Sequence, residues 1–406
     1  MPKGFFHGSK VATKEPAPRE PQCGACKLYK SCKSPKMEPT GKGKKRILVI
    51  AEAPGKEEDK KGIQLVGNSG RELEKTLRNL GVSMRKDCVL TNAVICRPPD
   101  NATPNRDQIE YCRPNLDDTI KKYNPEIIIP IGAVSMRSLI EHVWKKDPGS
   151  IGRWAGFNIP SQRLNSWICP TYHPAFVLRE KKSDVPGILF NRHLAAAVKH
   201  KGRPFKKVPN YGAEVRKIRS PKEAAKEIKR FHKDGGDVAF DYETNRLKPD
   251  ENSIIVSCSL CLRGKDTIAY TWQGPAIKAT GALLLDKRVP KIAANIKFED
   301  RWTRVAFGKK VANWKWCTQT MAHVLDNRRG ITSVKFQAFV RLGQDAYDEH
   351  IKEFLQSKRG KSINRILEEI DLDDLLLYNG MDSLLEYHIM KHQENELKER
   401  LNERRT

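Results

Sequence analysis

Val238-Ala239-Phe240-Asp241-Tyr242-Glu243 runs an apolar stretch straight into two carboxylates spaced i, i+2. Successive side chains of a β-strand point to opposite faces. The spacing therefore predicts Asp241 and Glu243 side by side at a strand end, with Tyr242 facing away. Two adjacent carboxylates repel unless a cation lies between them, and hard divalent cations favour such oxygen ligands. Taken alone, the pattern also fits an ordinary strand end carrying two solvated acids.

The flanking sequence narrows the choice. Residues 220–233 read as a helix, with Ser220 as its cap and Pro221 at its first position. Residues 253–262 and 266–271 read as two further strands, making a meander with the first. Cys258 and Cys261 form a CxxC there. On a strand, residues three apart face opposite ways, so these read as ordinary buried thiols. Further on lies Asn295-Ile296-Lys297-Phe298-Glu299-Asp300, and near the end Tyr378-Asn379-Gly380-Met381-Asp382. On a helix Tyr378 and Asp382 share a face. Glu299 and Asp300 sit about 100° apart around a helix, so they are not equivalent.

Together these three stretches resemble the exonuclease motifs of the proofreading domain of family A DNA polymerases, over about residues 215–395. The resemblance implies a ribonuclease H-like mixed-sheet domain with 3′–5′ exonuclease activity. It implies two divalent ions, Mg2+ or Mn2+, held by Asp241, Glu243 and Asp382. By the same resemblance Glu299 ends the second motif, Asn295 opens it on the DNA side, and Tyr378 orients the attacking water. The family more often has Asp where this chain has Glu299.

In the front half, apolar runs at 46–51, 89–94, 127–131 and 167–170 alternate with helical patterns such as 70–80 and 106–123. Such alternation predicts a parallel sheet with helices on both faces. Ligands bind such sheets at the carboxyl ends of the strands, where Glu52, Asn92 and His173 fall. Ten cysteines without a secretion signal argue for thiols or a metal site over disulfides. Cys23 and Cys26 form a CxxC, and Cys96 and Cys112 flank a Pro-rich loop. Zinc and iron–sulfur clusters both accept four thiolates.

The order is Cys23-x-x-Cys26, Ala51-Glu52-Ala53-Pro54-Gly55, Val66-Gly67, Thr91-Asn92-Ala93-Val94-Ile95-Cys96, Cys112 and Thr171-Tyr172-His173-Pro174. It resembles the family 4, iron–sulfur uracil-DNA glycosylases over about residues 20–200. The resemblance implies a three-layer α/β domain with a parallel sheet. It implies a 4Fe-4S cluster on Cys23, Cys26, Cys96 and Cys112, leaving Cys32 and Cys88 as ordinary thiols. Asn92 then reads the edge of a flipped uracil, and His173 donates to its oxygen as negative charge develops. Glu52 stabilises the positive sugar or positions water, and Glu58 and Asp59 match the family's acidic pair. There are two departures. Ala51 stands where the family has Gly. Leu65 stands where the family stacks Phe on the base, which gives up about 1 kcal/mol or more. Weak uracil excision is the expectation.

Lys and Arg number 75 against 49 Asp and Glu, a formal charge of +26 over 406 residues. That excess points to a polyanionic partner, DNA first. No apolar run reaches the roughly 18 residues of a membrane span, and a cytoplasmic location in a bacterial or phage-infected cell is expected. Composition divides the chain into a flexible basic arm (1–22), a glycosylase-like domain (23–200), a basic linker (201–219) and an exonuclease domain (220–406). The chain ends one polar helix after the third motif, where a polymerase module would need far more residues. A separately encoded DNA polymerase is therefore the expected partner, in the manner of phage replication proteins. Three other readings stand beside this one. They are an exonuclease whose front domain binds without cutting, an active glycosylase with an accessory exonuclease, and a non-catalytic DNA-binding subunit of a polymerase.

Overall fold

The computed structural model describes residues 20–141, 143–144, 147–180, 183–200, 207–357, 363–367 and 370–403. Most of the expected basic arm (1–19) and the start of the expected linker (201–206) lie outside the described residues. The chain divides into two compact units between Val208 and Pro209.

The first unit is built on β1 (Ile47–Ala51), β2 (Cys88–Asn92), β3 (Ile127–Pro130), β4 (Ile159–Ser161) and β5 (Ser166–Ile168), in the order β2-β1-β3-β5-β4. β1, β2, β3 and β5 are parallel. Every residue of β1, β2 and β3 is buried, which is why they read as unbroken apolar runs rather than alternating ones. The sheet departs from the all-parallel expectation at one edge, where β4 pairs antiparallel to β5. This strand is short and carries Pro160, a residue that only an edge strand tolerates, so its sequence does not read as a strand. Helices Asn68–Asn79, Arg106–Tyr123 and Val185–Val198 complete the unit.

The second unit carries β6 (Val215–Ile218), β7 (Val238–Thr244), β8 (Ile255–Leu262), β9 (Asp266–Thr271), β10 (Lys291–Ala293) and β11 (Trp314–Cys317), in the order β11-β10-β7-β8-β9-β6. β7, β8 and β9 form the antiparallel meander. β10 runs parallel to β7, and β11 parallel to β10. An antiparallel meander extended by two parallel strands beside its first member is the ribonuclease H-like mixed sheet. Phe231, Phe240, Tyr242, Leu260, Tyr270 and Trp302 pack its core.

β6 lies within the stretch assigned to the linker. Val215 and Ile218 are buried, while Arg216 and Lys217 between them are exposed. Arg216 pairs with Glu227 and Asp266, and Lys217 and Arg219 with Asp373. The basic composition that suggested a linker is the solvent side of an edge strand.

The last helix, Leu372–Glu403, is a single piece of 32 residues, where the sequence suggested a separate polar helix from Ser383. It carries the third motif inward and packs on β7 and β8. Gly380 permits its close approach to β6: a Cβ there would lie 2.3 Å from Cγ1 of Val215. No helix among the described residues is long and apolar enough to cross a membrane.

Candidate functional site

β7 places Asp241 and Glu243 on one face and Tyr242 on the other, inside the core. The last helix brings Asp382 to them. One carboxylate oxygen from each of Asp241, Glu243 and Asp382 lies within 4.8 Å of the others, a spacing that fits a shared cation. Asp241 and Glu243 are partly exposed and Asp382 is buried, so the group opens to one side. Burial, then the Asp382 charge, pushes Asp241 up to about 8. Burial, then Asp241 and Asp382, pushes Glu243 well above the carboxylate range.

The neighbours hold these groups in place. Asn379, fully buried, donates from Nδ2 to Asp241 Oδ2 at 2.7 Å and accepts from the Ser257 hydroxyl at 3.0 Å. Lys335 donates to Asp382 Oδ2 at 2.6 Å and to the Tyr378 hydroxyl at 2.5 Å. The Tyr347 hydroxyl donates to the other oxygen of Asp382. Tyr378 thus stands beside Asp382, its ring against Ile351, Ile366 and Leu375 and its hydroxyl on Lys335. Sequence reasoning missed Lys335, Tyr347 and Asn379. Only Asn379 lay within a recognised motif. Lys335 follows a helix cap in an otherwise apolar run, and nothing local marks it as half-buried against Asp382.

The second motif resolves into unequal parts. Glu299 is 3% exposed; burial, then the Asp241 and Glu243 charges, holds its carboxyl well above the usual range, with the Tyr242 N–H opposing. Asp300 faces elsewhere, accepting from Arg304 Nε at 3.0 Å and from the Val311 N–H at 2.9 Å. Asn295 is exposed at the start of the helix Ile296–Phe307, and its side chain makes no cap bond.

In the first unit Glu52 follows β1, Asn92 ends β2, Gly132 follows β3 and His173 follows β5, at the carboxyl ends of adjacent parallel strands. Asn92 is 3% exposed and its Nδ2 has no hydrogen-bond partner among the described residues. A buried amide donor left open suits a base edge. His173 caps the short helix Pro174–Arg179, its Nδ1 accepting from the Ala175 N–H at 3.2 Å. That bond leaves the proton on Nε2. Burial, then the Arg179 charge, lowers His173 to about 4, so the ring is a neutral donor. Burial raises Glu52, with Arg179 opposing.

Leu65 is buried, and its backbone is left-handed (φ 53°), a conformation costly for a branched side chain. The surroundings enforce it. Glu58 accepts from the Val66 and Gly67 N–H groups at 3.0 and 2.8 Å, and Arg85 donates to the Leu65 carbonyl at 2.9 Å. Gly70 must lack a Cβ, which would sit 1.9 Å from that carbonyl oxygen. Asp59 accepts from the Lys33 and Ser34 N–H groups at 3.1 and 2.8 Å. Both acids of the expected pair are thus bonded to backbone, Glu58 at Val66 and Gly67 and Asp59 at Lys33 and Ser34.

Cys23, Cys26, Cys96 and Cys112 line one small cavity with Leu28 and Val94. All are free thiols. The Lys36 N–H donates to Cys96 Sγ at 3.2 Å, and the Ile95 N–H to Cys112 Sγ at 3.4 Å. Amide donors aimed at sulfur favour thiolate ligands. Burial pushes Cys96 up to about 12. Cys32 lies close enough to Cys96 to interact electrostatically but does not line the cavity, and Cys88 is in the core.

The uracil DNA glycosylase superfamily matches residues 38–199, and the 3′–5′ exonuclease family matches residues 216–398. A type-4 uracil-DNA glycosylase of Pyrobaculum aerophilum is 37% identical over 166 residues, covering 39% of this chain and 80% of the relative. That of Thermotoga maritima is 30% identical over 174 residues, covering 42% and 85%. A DNA polymerase of Bacillus phage SP01 is 25% identical over 324 residues, covering 72% of this chain and 34% of the polymerase. That alignment is longer than either unit and so runs across both. Through its first unit the chain belongs to the type-4 uracil-DNA glycosylases, and its second unit is a 3′–5′ exonuclease domain of the family A polymerase type, together making a protein of DNA replication or repair.

Proposed function

We propose that the protein removes nucleotides from DNA 3′ ends in a metal-dependent reaction, with Asp241, Glu243 and Asp382 as the ligands. The observation that carries this reading is the meeting of three carboxylate oxygens within 4.8 Å at a partly open site. Divalent cations bound there would activate water and neutralise charge on the leaving oxygen. The chain's own residues supply the positioning. Asn379 fixes the Asp241 carboxylate, and Lys335 holds the Tyr378 hydroxyl where it can orient the attacking water. Glu299 backs the group from the second motif. Asn295, exposed at the rim, contacts the DNA strand.

The first unit acts as a DNA- and uracil-binding module with weak excision. Asn92 reads the base edge, His173 donates from Nε2 to the uracil oxygen, and Glu52 faces the sugar. Glu58 and Asp59 hold the pocket loops instead of touching DNA. Leu65 supplies an aliphatic wall where stacking needs a ring. A 4Fe-4S cluster on Cys23, Cys26, Cys96 and Cys112 pins the loops around them. The paired placement of these thiols in one cavity, with N–H donors on two of them, supports it.

We also propose that the protein serves a separately encoded DNA polymerase as its proofreading partner. The support is the alignment, across both units, to a phage protein named as a DNA polymerase. The basic residues then hold template DNA through salt-sensitive contacts.

Five outcomes are expected. With Mg2+ or Mn2+ the protein should shorten end-labelled single strands from the 3′ end, and Asp241→Ala should lower the rate roughly a thousandfold with an unchanged circular dichroism spectrum. No digestion with either metal, or digestion unaffected by Asp241→Ala, rejects the site. Anaerobically purified protein should be brown, with iron and acid-labile sulfide at about four each per chain. Zinc in their place rejects the cluster but keeps the ligand set. Leu65→Phe should raise excision of uracil from single strands roughly five- to tenfold. Because His173 is already neutral above about pH 5, that rate should show no inflection near pH 6.5, and an inflection lost with His173→Gln would contradict the neutral-donor role. Finally, the protein should co-elute with the polymerase of its own genome at low salt on primer-template DNA and lower its error rate. Neither effect appearing would mark a free-standing nuclease.

A further inference from the structure

Lys335 is the second residue of the helix Val334–Leu342 and comes from neither β7 nor the last helix. Its ammonium nevertheless ends on Asp382 Oδ2, at 2.6 Å. The other oxygen of Asp382 accepts from the Tyr347 hydroxyl. Both oxygens of the acid that the last helix adds to the three-carboxylate group therefore carry a donor. The Lys335 charge also reaches Asp241 and Glu243, where it opposes the rise that burial causes. One ammonium thus bears on all three carboxylates whose oxygens meet within 4.8 Å. It acts on them as a bound cation would.

The same ammonium has a second set of partners that needs no carboxylate. The Tyr378 hydroxyl accepts from it at 2.5 Å. It lies 4.5 Å from the centroid of the Tyr378 ring and 5.5 Å from that of the Tyr347 ring, and the two rings are 5.9 Å apart. Aromatic faces attract an ammonium, most strongly where water is scarce, and the Lys335 side chain is only 19% exposed. A lysine has three donors on a flexible stem, so it can give up one acceptor and keep another. Leaving Asp382 does not leave Lys335 without partners.

A divalent cation that takes Asp382 as a ligand meets this ammonium on the same carboxylate. Like charges that close repel strongly away from bulk water. We propose that Lys335 is an internal counter-ion that competes with the divalent cation for Asp382. It steadies the three carboxylates until the cation displaces it, and the two tyrosines then keep the ammonium at the edge of the site. This rests on the metal-dependent reading above. The exchange sets the metal affinity below what three converging carboxylates alone would give, and Lys335 stays on the Tyr378 hydroxyl throughout.

The test measures the tightest Mn2+ on the full-length chain by equilibrium dialysis with elemental analysis, which separates manganese from iron. Lys335→Met keeps an unbranched stem without the charge and should tighten that Mn2+ at least about tenfold. Lys335→Gln, which keeps a neutral donor, should tighten it too. Lys335→Arg keeps the charge and should bind Mn2+ within about threefold of the unaltered protein. Tyr347→Phe removes only a neutral donor from Asp382 and should also stay within about threefold. In chelator Lys335→Met should melt below the unaltered protein, because the carboxylates have lost their counter-ion, and added Mn2+ should raise its melting temperature by more. Mn2+ bound equally or more weakly by both Lys335→Met and Lys335→Gln would overturn the competition and leave the nuclease reading standing. Tightening by Tyr347→Phe as large as that by Lys335→Met would point to a general loosening of Asp382 and overturn it as well. No Mn2+ on the unaltered protein or on either neutral variant of Lys335 would remove the metal-dependent reading itself.

Discussion

Mutual repulsion among buried carboxylates is the constraint on which the second unit turns. Asp241, Glu243, Glu299, Asp382 and Glu386 come together from β7, the helix Ile296–Phe307 and the last helix. Burial disfavours the charged forms of Asp241, Glu243, Glu299 and Glu386, and the neighbouring carboxylate charges add to it. A fold meets such a cost by neutralising the acids or by admitting cations. The structure keeps Lys335 on Asp382 and Asn379 on Asp241. These bonds hold the carboxylates in register without filling the space between them. The frame around them is rigid for ordinary reasons: Tyr242, Phe240 and Trp302 pack beneath the acids.

The first unit solves a different problem, that of keeping loops in unfavourable shapes. Leu65 is held left-handed by Glu58, Arg85 and the missing Cβ of Gly70. The Cys23–Cys26 turn is tied through neighbouring loops, with Asp59 bonding Lys33 and Ser34. Held strain of this kind and the open amide of Asn92 both suit a preformed ligand pocket. Glu58 and Asp59, the acidic pair of the resemblance, both bond backbone N–H groups of these loops.

Much of this was legible in the sequence where periodicity and chemistry coincide. The i, i+2 acids on β7 and the i, i+4 pair Tyr378 and Asp382 follow directly from strand and helix geometry. The carboxyl-end positions of Glu52, Asn92 and His173 follow from the parallel sheet. What was hidden depends on long-range packing. Glu386 begins a run rich in Glu and Lys, and only the sheet beneath it shows that it faces inward. Lys335 looks like a surface lysine until Asp382 and Tyr378 are placed against it. β6 was masked by Arg216 and Lys217, whose charges belong to an edge strand paired with acids. The choice between Glu299 and Asp300 needed Arg304 and Val311, which occupy Asp300.

The central claim is that the carboxylate group on β7 and the last helix is a cation site. Crystals of the full chain grown with Mn2+ test it most directly, by anomalous diffraction at the manganese edge. The account predicts an anomalous peak about 2.1–2.2 Å from oxygens of Asp241, Glu243 and Asp382, with Lys335 drawn away from Asp382. Crystals saturated with Mn2+ that show no peak there, and Lys335 still bonded to Asp382, would contradict it.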